Sequence, residues 1–71
     1  MVKEGDVFTG TYLFDDYRMR HVIIMEHVNP AIMENKHAEL VSLKRVYQGG
    51  ETMQARMIKI AEDGTMYAEE V

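Results

Sequence analysis

Apolar residues gather in four short stretches, DVFTGTYLF, YRMRHVIIMEHV, TMQARMIKIAE and TMYAEEV, each rich in β-branched and aromatic side chains and short enough for a strand. Polar turn signals separate them: Asp15-Asp16, Asn29-Pro30, Gly49-Gly50 and Asp63-Gly64. Gly-Gly and Asp-Gly suit two-residue hairpin turns, whose central residues need positive φ. The pattern therefore predicts a mainly β protein.

The fifth stretch, NPAIMENKHAELVSLKRVYQGG, carries two competing patterns. Asn29 can cap a helix, Pro30 fits its first position and Gly49 can end it. Ile32, Met33, Leu40, Leu43, Val46 and Tyr47 would then form one apolar stripe, giving a ββαββ chain with a helix over about 30–48. Against this, Lys36 and Glu39 interrupt the stripe, and ELVSLKRVY leads directly into Gly49-Gly50. The preferred reading is a loop with one helical turn behind Pro30, followed by a strand over about 38–48. Residues 39–70 would then form a three-stranded meander. Five short strands in so short a chain point to a small closed barrel, because a flat sheet would expose one face and both edges. The opening KEGDVF resembles the Gly-Asp-apolar start of SH3-like and related small barrels. That resemblance implies a fold and carries no functional residue.

At 71 residues the chain makes one domain, 1–71, whose core is small and unsupported by disulfides, since cysteine is absent. Such chains often gain stability by oligomerising, and a homodimer or higher oligomer is expected. The acids at Glu4 and Asp6 argue against a secretory signal, and no run of 18 apolar residues suggests a membrane span. A soluble cytoplasmic protein is the expectation. The net charge of −4 arises from Glu62, Asp63, Glu69 and Glu70, while residues 1–60 balance eight acids with eight bases. Nucleic-acid binding draws on Lys and Arg neutralising phosphates, so a neutral body with an acidic end suits it poorly. The acidic end reads as a solvated edge or as a contact for a basic partner.

The second stretch is apolar on both faces, Val22 and Ile24 on one and Ile23 and Met25 on the other. A chain this small has little material to cover the second face. Ile23 and Met25 are therefore candidates for an outward row that meets a partner, or for residues lying under the 29–37 loop. Arg18 and Arg20 alternate onto one face beside Tyr17 and the Asp15-Asp16 turn, where they form a two-point cationic row. Tyr12, Phe14 and Tyr17 could supply a stacking wall beside it, and arginine forks recognise carboxylates or phosphates. The plainer reading pairs these arginines with Asp15, Asp16 or Glu26. Seven methionines suit an irregular core or an adaptable binding surface.

Catalytic and metal chemistry find no pattern. His21 and His27 would stand about 20 Å apart along a strand, too far to share an ion. His37 has no ligand spacing to either, and Asp15-Asp16 reads as a capped turn. Ser42 is the sole serine and has no histidine or acid at triad spacing. No enzyme activity, cofactor or metal is expected. The leading function class is a small protein-binding module or inhibitor of the kind found among phage and mobile-element accessory proteins. The alternative is a small-ligand or nucleic-acid-binding barrel using Arg18, Arg20 and the neighbouring aromatics, with Lys44 and Arg45.

Overall fold

A computed structural model describes residues 3–25 and 37–71. Five strands, β1 (Val7–Asp15), β2 (Arg20–Met25), β3 (His37–Ser42), β4 (Thr52–Ile60) and β5 (Met66–Glu70), close into a barrel in the order β1-β2-β3-β5-β4. The mainly β, five-stranded barrel expected from the sequence is present, and no helix occurs among the described residues. Three consecutive strands with the fourth returning beside the first make a Greek key, a closure of the kind that OB-type small barrels use. All neighbouring pairs are antiparallel except β3 and β5, which run parallel.

The interior is filled by setting small residues against large ones across the ladders. Ala38 lies opposite Ile23, Ala68 lies between Leu40 and Met57, and Gly10 lies between Met25 and Met53. Ala38, Ala55 and Ala68 are fully buried, as are Ile23 and Met57. A narrow barrel leaves no room for bulky residues on both members of a pair, and flexible methionines fill the remaining irregular space. Gly10 is required by close approach: a Cβ there would sit 2.4 Å from the Ile24 carbonyl oxygen and 2.6 Å from Cγ1 of Ile23. This is the expected use of a glycine inside a bent barrel strand.

The turns follow local chemistry. Asp15 Oδ1 accepts hydrogen bonds from the amides of Tyr17 (3.0 Å) and Arg18 (3.3 Å), closing the β1–β2 turn. Asp63 Oδ1 accepts from Thr65 N at 2.9 Å, and Gly64 takes φ 89° in the β4–β5 hairpin. In KEGDVF, Gly5 has φ 92° and donates its amide to Met57 O, which ties the start of the described chain to β4.

Four expectations need correction. The strand predicted over 38–48 spans His37–Ser42 only, and residues 43–50 form an irregular loop. The meander is broken because β5 inserts between β3 and β4. Gly49-Gly50 consequently belongs to a crossing loop whose end zips onto β1, with Gly50 N donating to Tyr12 O and Tyr12 N to Glu51 O. The second strand begins at Arg20, so Arg18 lies in the turn and shares no strand face with it. Finally, Ile23 and Met25 point inward, at 0% and 6% exposure, because Tyr12 and Gly10 opposite them face the core. The opposite face of β2 carries Val22, which is also buried at 5% exposure, and half-buried Ile24. The helical turn expected behind Pro30 lies outside the described residues, while the strand at 37–42 excludes one helix running through 30–48.

Candidate functional site

The pairing directions bring the β1–β2 turn, the 43–50 loop and the end of β5 to one end of the barrel. This follows because β3 and β5 run toward the end at which β2 begins. The loop is pinned there by two carboxylates. Glu70 accepts the Lys44 amide at 2.7 Å on Oε1 and the Tyr47 hydroxyl at 2.5 Å on Oε2. Glu51 accepts Nη2 of Arg45 at 3.1 Å on Oε1 and the Gln48 amide at 2.6 Å on Oε2.

These bonds set the protonation behaviour of the loop. The Tyr47 hydroxyl, followed by the Lys44 amide, holds the Glu70 carboxyl below its ordinary range. The Gln48 amide, followed by Arg45, does the same to Glu51. Tyr47 is pushed up, first by its bond to Glu70 and then by desolvation, and Arg45 is pushed up chiefly by Glu51.

So fixed, the loop extends a row of rings. The Arg45 guanidinium lies 3.7 Å above the Tyr47 ring centroid, a cation–π stack. Tyr47 packs against Tyr12 with centroids 5.5 Å apart, and Tyr12 bonds Nδ1 of His21 through its hydroxyl at 2.5 Å. His21 in turn meets Phe14 edge to face at 5.2 Å. Between loop and barrel lies an open cleft of about 370 Å³, floored by Tyr12 and His21 and walled by residues 43–47. At the same end of the barrel, three large side chains are strongly exposed: Tyr17 at 93% and Met19 at 73% in the β1–β2 turn, and Val46 at 90% in the loop.

The residues predicted for the site divide into three groups. Tyr12 and Phe14 join the ring row through His21, but Tyr17 stands apart in the turn. The two-point cationic row does not form. Arg20 is engaged with Asp15 Oδ2 (3.1 Å), Glu39 (3.3 Å) and Nε2 of His37 (3.1 Å), fulfilling the plainer pairing for that residue, while Arg18 is an exposed turn residue. Partial desolvation pushes the Asp15 carboxyl up, yet the bonds from Arg20, Arg18 N and Tyr17 N outweigh it and the net shift is downward. Ile23 and Met25 belong to the core.

The acidic end is more than a solvated edge, since Glu70 clamps the loop and Glu69 lies 3.7 Å from Arg56. Sequence reasoning missed Tyr47 and Val46 as site residues and considered His21 only as a metal ligand. A second groove, on the outer face of β1–β2, is lined by Leu13, Val22, Ile24 and His37. No group of three or more His, Asp or Glu side chains among the described residues is placed to hold a metal ion. Among these residues no helix is long and apolar enough to cross a membrane. Comparison with protein-family models, with curated proteins and with solved structures finds no match.

Proposed function

We propose that this protein is a small non-enzymatic module that binds another protein through the barrel end bearing the β1–β2 turn and the 43–50 loop. The observation that carries the reading is the exposure of Tyr17, Met19 and Val46 on two loops at one end of the barrel, the end that also bears a continuous row of rings. Large apolar and aromatic side chains held in water at one end of a small fold are characteristic of interaction surfaces, and aromatic anchors dominate interface energetics. The charges support a protein partner over nucleic acid. Arg20 is engaged by two carboxylates of the chain itself, and twelve acids outnumber eight bases, a balance that suits phosphate neutralisation poorly.

In this reading the module acts by covering a partner's surface, as an inhibitor or adaptor does, and its cysteine-free sequence suits the reducing cytoplasm. Self-association through Ile23 and Met25 is not open to this barrel, because both point inward.

Affinity capture from the native host, with the wild-type chain beside Val46→Asp and Tyr17→Ser, tests the proposal. A protein should be retained by the wild type with little loss at high salt, and lost with Val46→Asp while the variant still melts cooperatively. Equal capture by all three chains, or salt-sensitive recovery of nucleic acid instead, would overturn it.

A further inference from the structure

The cleft between the 43–50 loop and the barrel has a chemical bias of its own. In a chain of net charge −4, the side chains lining it include His21, Lys44 and Arg45 and no carboxylate. The nearest acids are turned away. All four carboxylate oxygens of Glu51 and Glu70 accept hydrogen bonds from the loop itself, so both acids serve to shape the wall and neither projects into the cleft. Arg45 uses Nη1 on Val46 O and Nη2 on Glu51, which leaves further donors among its five N–H groups. Lys44 is exposed, and it is its backbone amide that bonds Glu70. The remainder of the lining is apolar or aromatic: Tyr12, Leu43, Val46 and Tyr47.

We infer that this cleft receives an acidic, apolar segment of the partner protein, with an aliphatic or aromatic side chain against Tyr12, Leu43 and Tyr47 and a neighbouring carboxylate at Lys44 and Arg45. The inference rests on the protein-binding reading above and names the partner's chemistry. Charge complementarity selects the occupant: a basic segment would meet Lys44 and Arg45 with like charge, and a neutral one would leave their donors unused.

The test titrates three end-blocked hexapeptides, of alternating leucine with glutamate, glutamine or lysine, into the full chain while amide resonances are followed. The leucine–glutamate peptide should shift residues 43–47, Tyr12 and His21. The glutamine peptide should bind about two- to fivefold more weakly, as expected for loss of an exposed ion pair, and the lysine peptide more weakly still. Lys44→Glu, which keeps the backbone bond to Glu70, should reverse the order of the glutamate and lysine peptides. Equal binding of the three peptides, shifts confined to the groove at Leu13, Val22 and Ile24, or tighter and steeply salt-dependent binding of a single-stranded oligonucleotide to the cleft would each overturn the inference. If no peptide reaches the cleft while partner capture still depends on Val46, the acidic-segment inference falls and the protein-binding reading stands. If capture is also indifferent to Val46→Asp, both fall.

Discussion

The barrel interior and the 43–50 loop are held by opposite means. Inside, Met57 against Ala68, Ile23 against Ala38 and Gly10 between two methionines stabilise the fold through volume alone, and no buried side-chain nitrogen or oxygen among the described residues lacks a partner. At the barrel end, Leu43 and Tyr47 rest against the core edge, and the polar links of the loop run through two carboxylates at positions 51 and 70 that collect amide, hydroxyl and guanidinium donors. Packing is indifferent to pH and intolerant of a changed shape. The carboxylate clamps tolerate shape changes and depend on protonation. The polar links of the loop can therefore loosen or tighten with pH while the packing of the barrel interior stays the same.

The largest test of this contrast is Met57→Ala, which removes a fully buried side chain and should cost roughly 2–5 kcal/mol in urea denaturation, with the same cost at pH 5 and pH 8. A cost that varied with pH would couple interior to loop and break the comparison. Gly10→Ala should follow at about 3 kcal/mol, since its Cβ meets a backbone carbonyl that cannot step aside. An unchanged melting temperature would show that β1 has freedom the barrel geometry denies it.

The loop should respond differently. Glu51 and Glu70 have folded pKa values below their ordinary ones, so their stabilisation is present above the ordinary carboxylate range and is lost as pH falls through the lowered values. Tyr47 has the opposite sign. Its raised pKa gives stabilisation that is present below about 10 and is lost as pH rises through the folded value. Tyrosine fluorescence and the amide signals of Lys44 and Gln48 should therefore report a loop fixed near neutrality and released at both extremes. Glu70→Gln should speed exchange at Lys44 with little effect on global melting, and a large drop in melting temperature would show that the loop supports the barrel.

The smallest effect is expected at Met19, which holds φ 54° in the turn without being glycine. Met19→Asn should stabilise by up to about 1 kcal/mol, because asparagine tolerates the left-handed region, and the same change should weaken partner capture. Stabilisation without loss of capture would remove Met19 from the binding surface.

The interior was more legible in the sequence than the site, for reasons visible in particular residues. The β-branched and aromatic stretches and the Asp63-Gly64 turn carry their structure locally, so β1, β4 and β5 could be read directly. In HVIIM both faces are apolar, and a reading one residue out of phase exchanges core for surface. Only pairing of Met25 with Gly10 and of Ile23 with Tyr12 decides which row is inside, and that register is a property of two strands together. Gly49-Gly50 has the same local chemistry whether it closes a hairpin or ends a crossing loop. The insertion of β5 between β3 and β4 depends on a parallel pairing across nearly thirty positions, as Leu40 with Ala68, which no short-range signal announces. The clamp from Glu70 to Tyr47 and Lys44 inherits that difficulty, because its partners meet only after β5 is in place.

The distribution of methionine sulfur has a consequence for oxidative chemistry. Met25, Met53 and Met57 are enclosed by the barrel wall, whereas Met19 stands in solvent at the end proposed to bind. Mild peroxide should therefore convert Met19 to its sulfoxide well before those three, altering the polarity of the contact surface while the packing behind it stays intact. Mass spectrometry at this residue would then serve as a footprint, with Met19 shielded whenever a partner occupies the barrel end and oxidised when that end is bare.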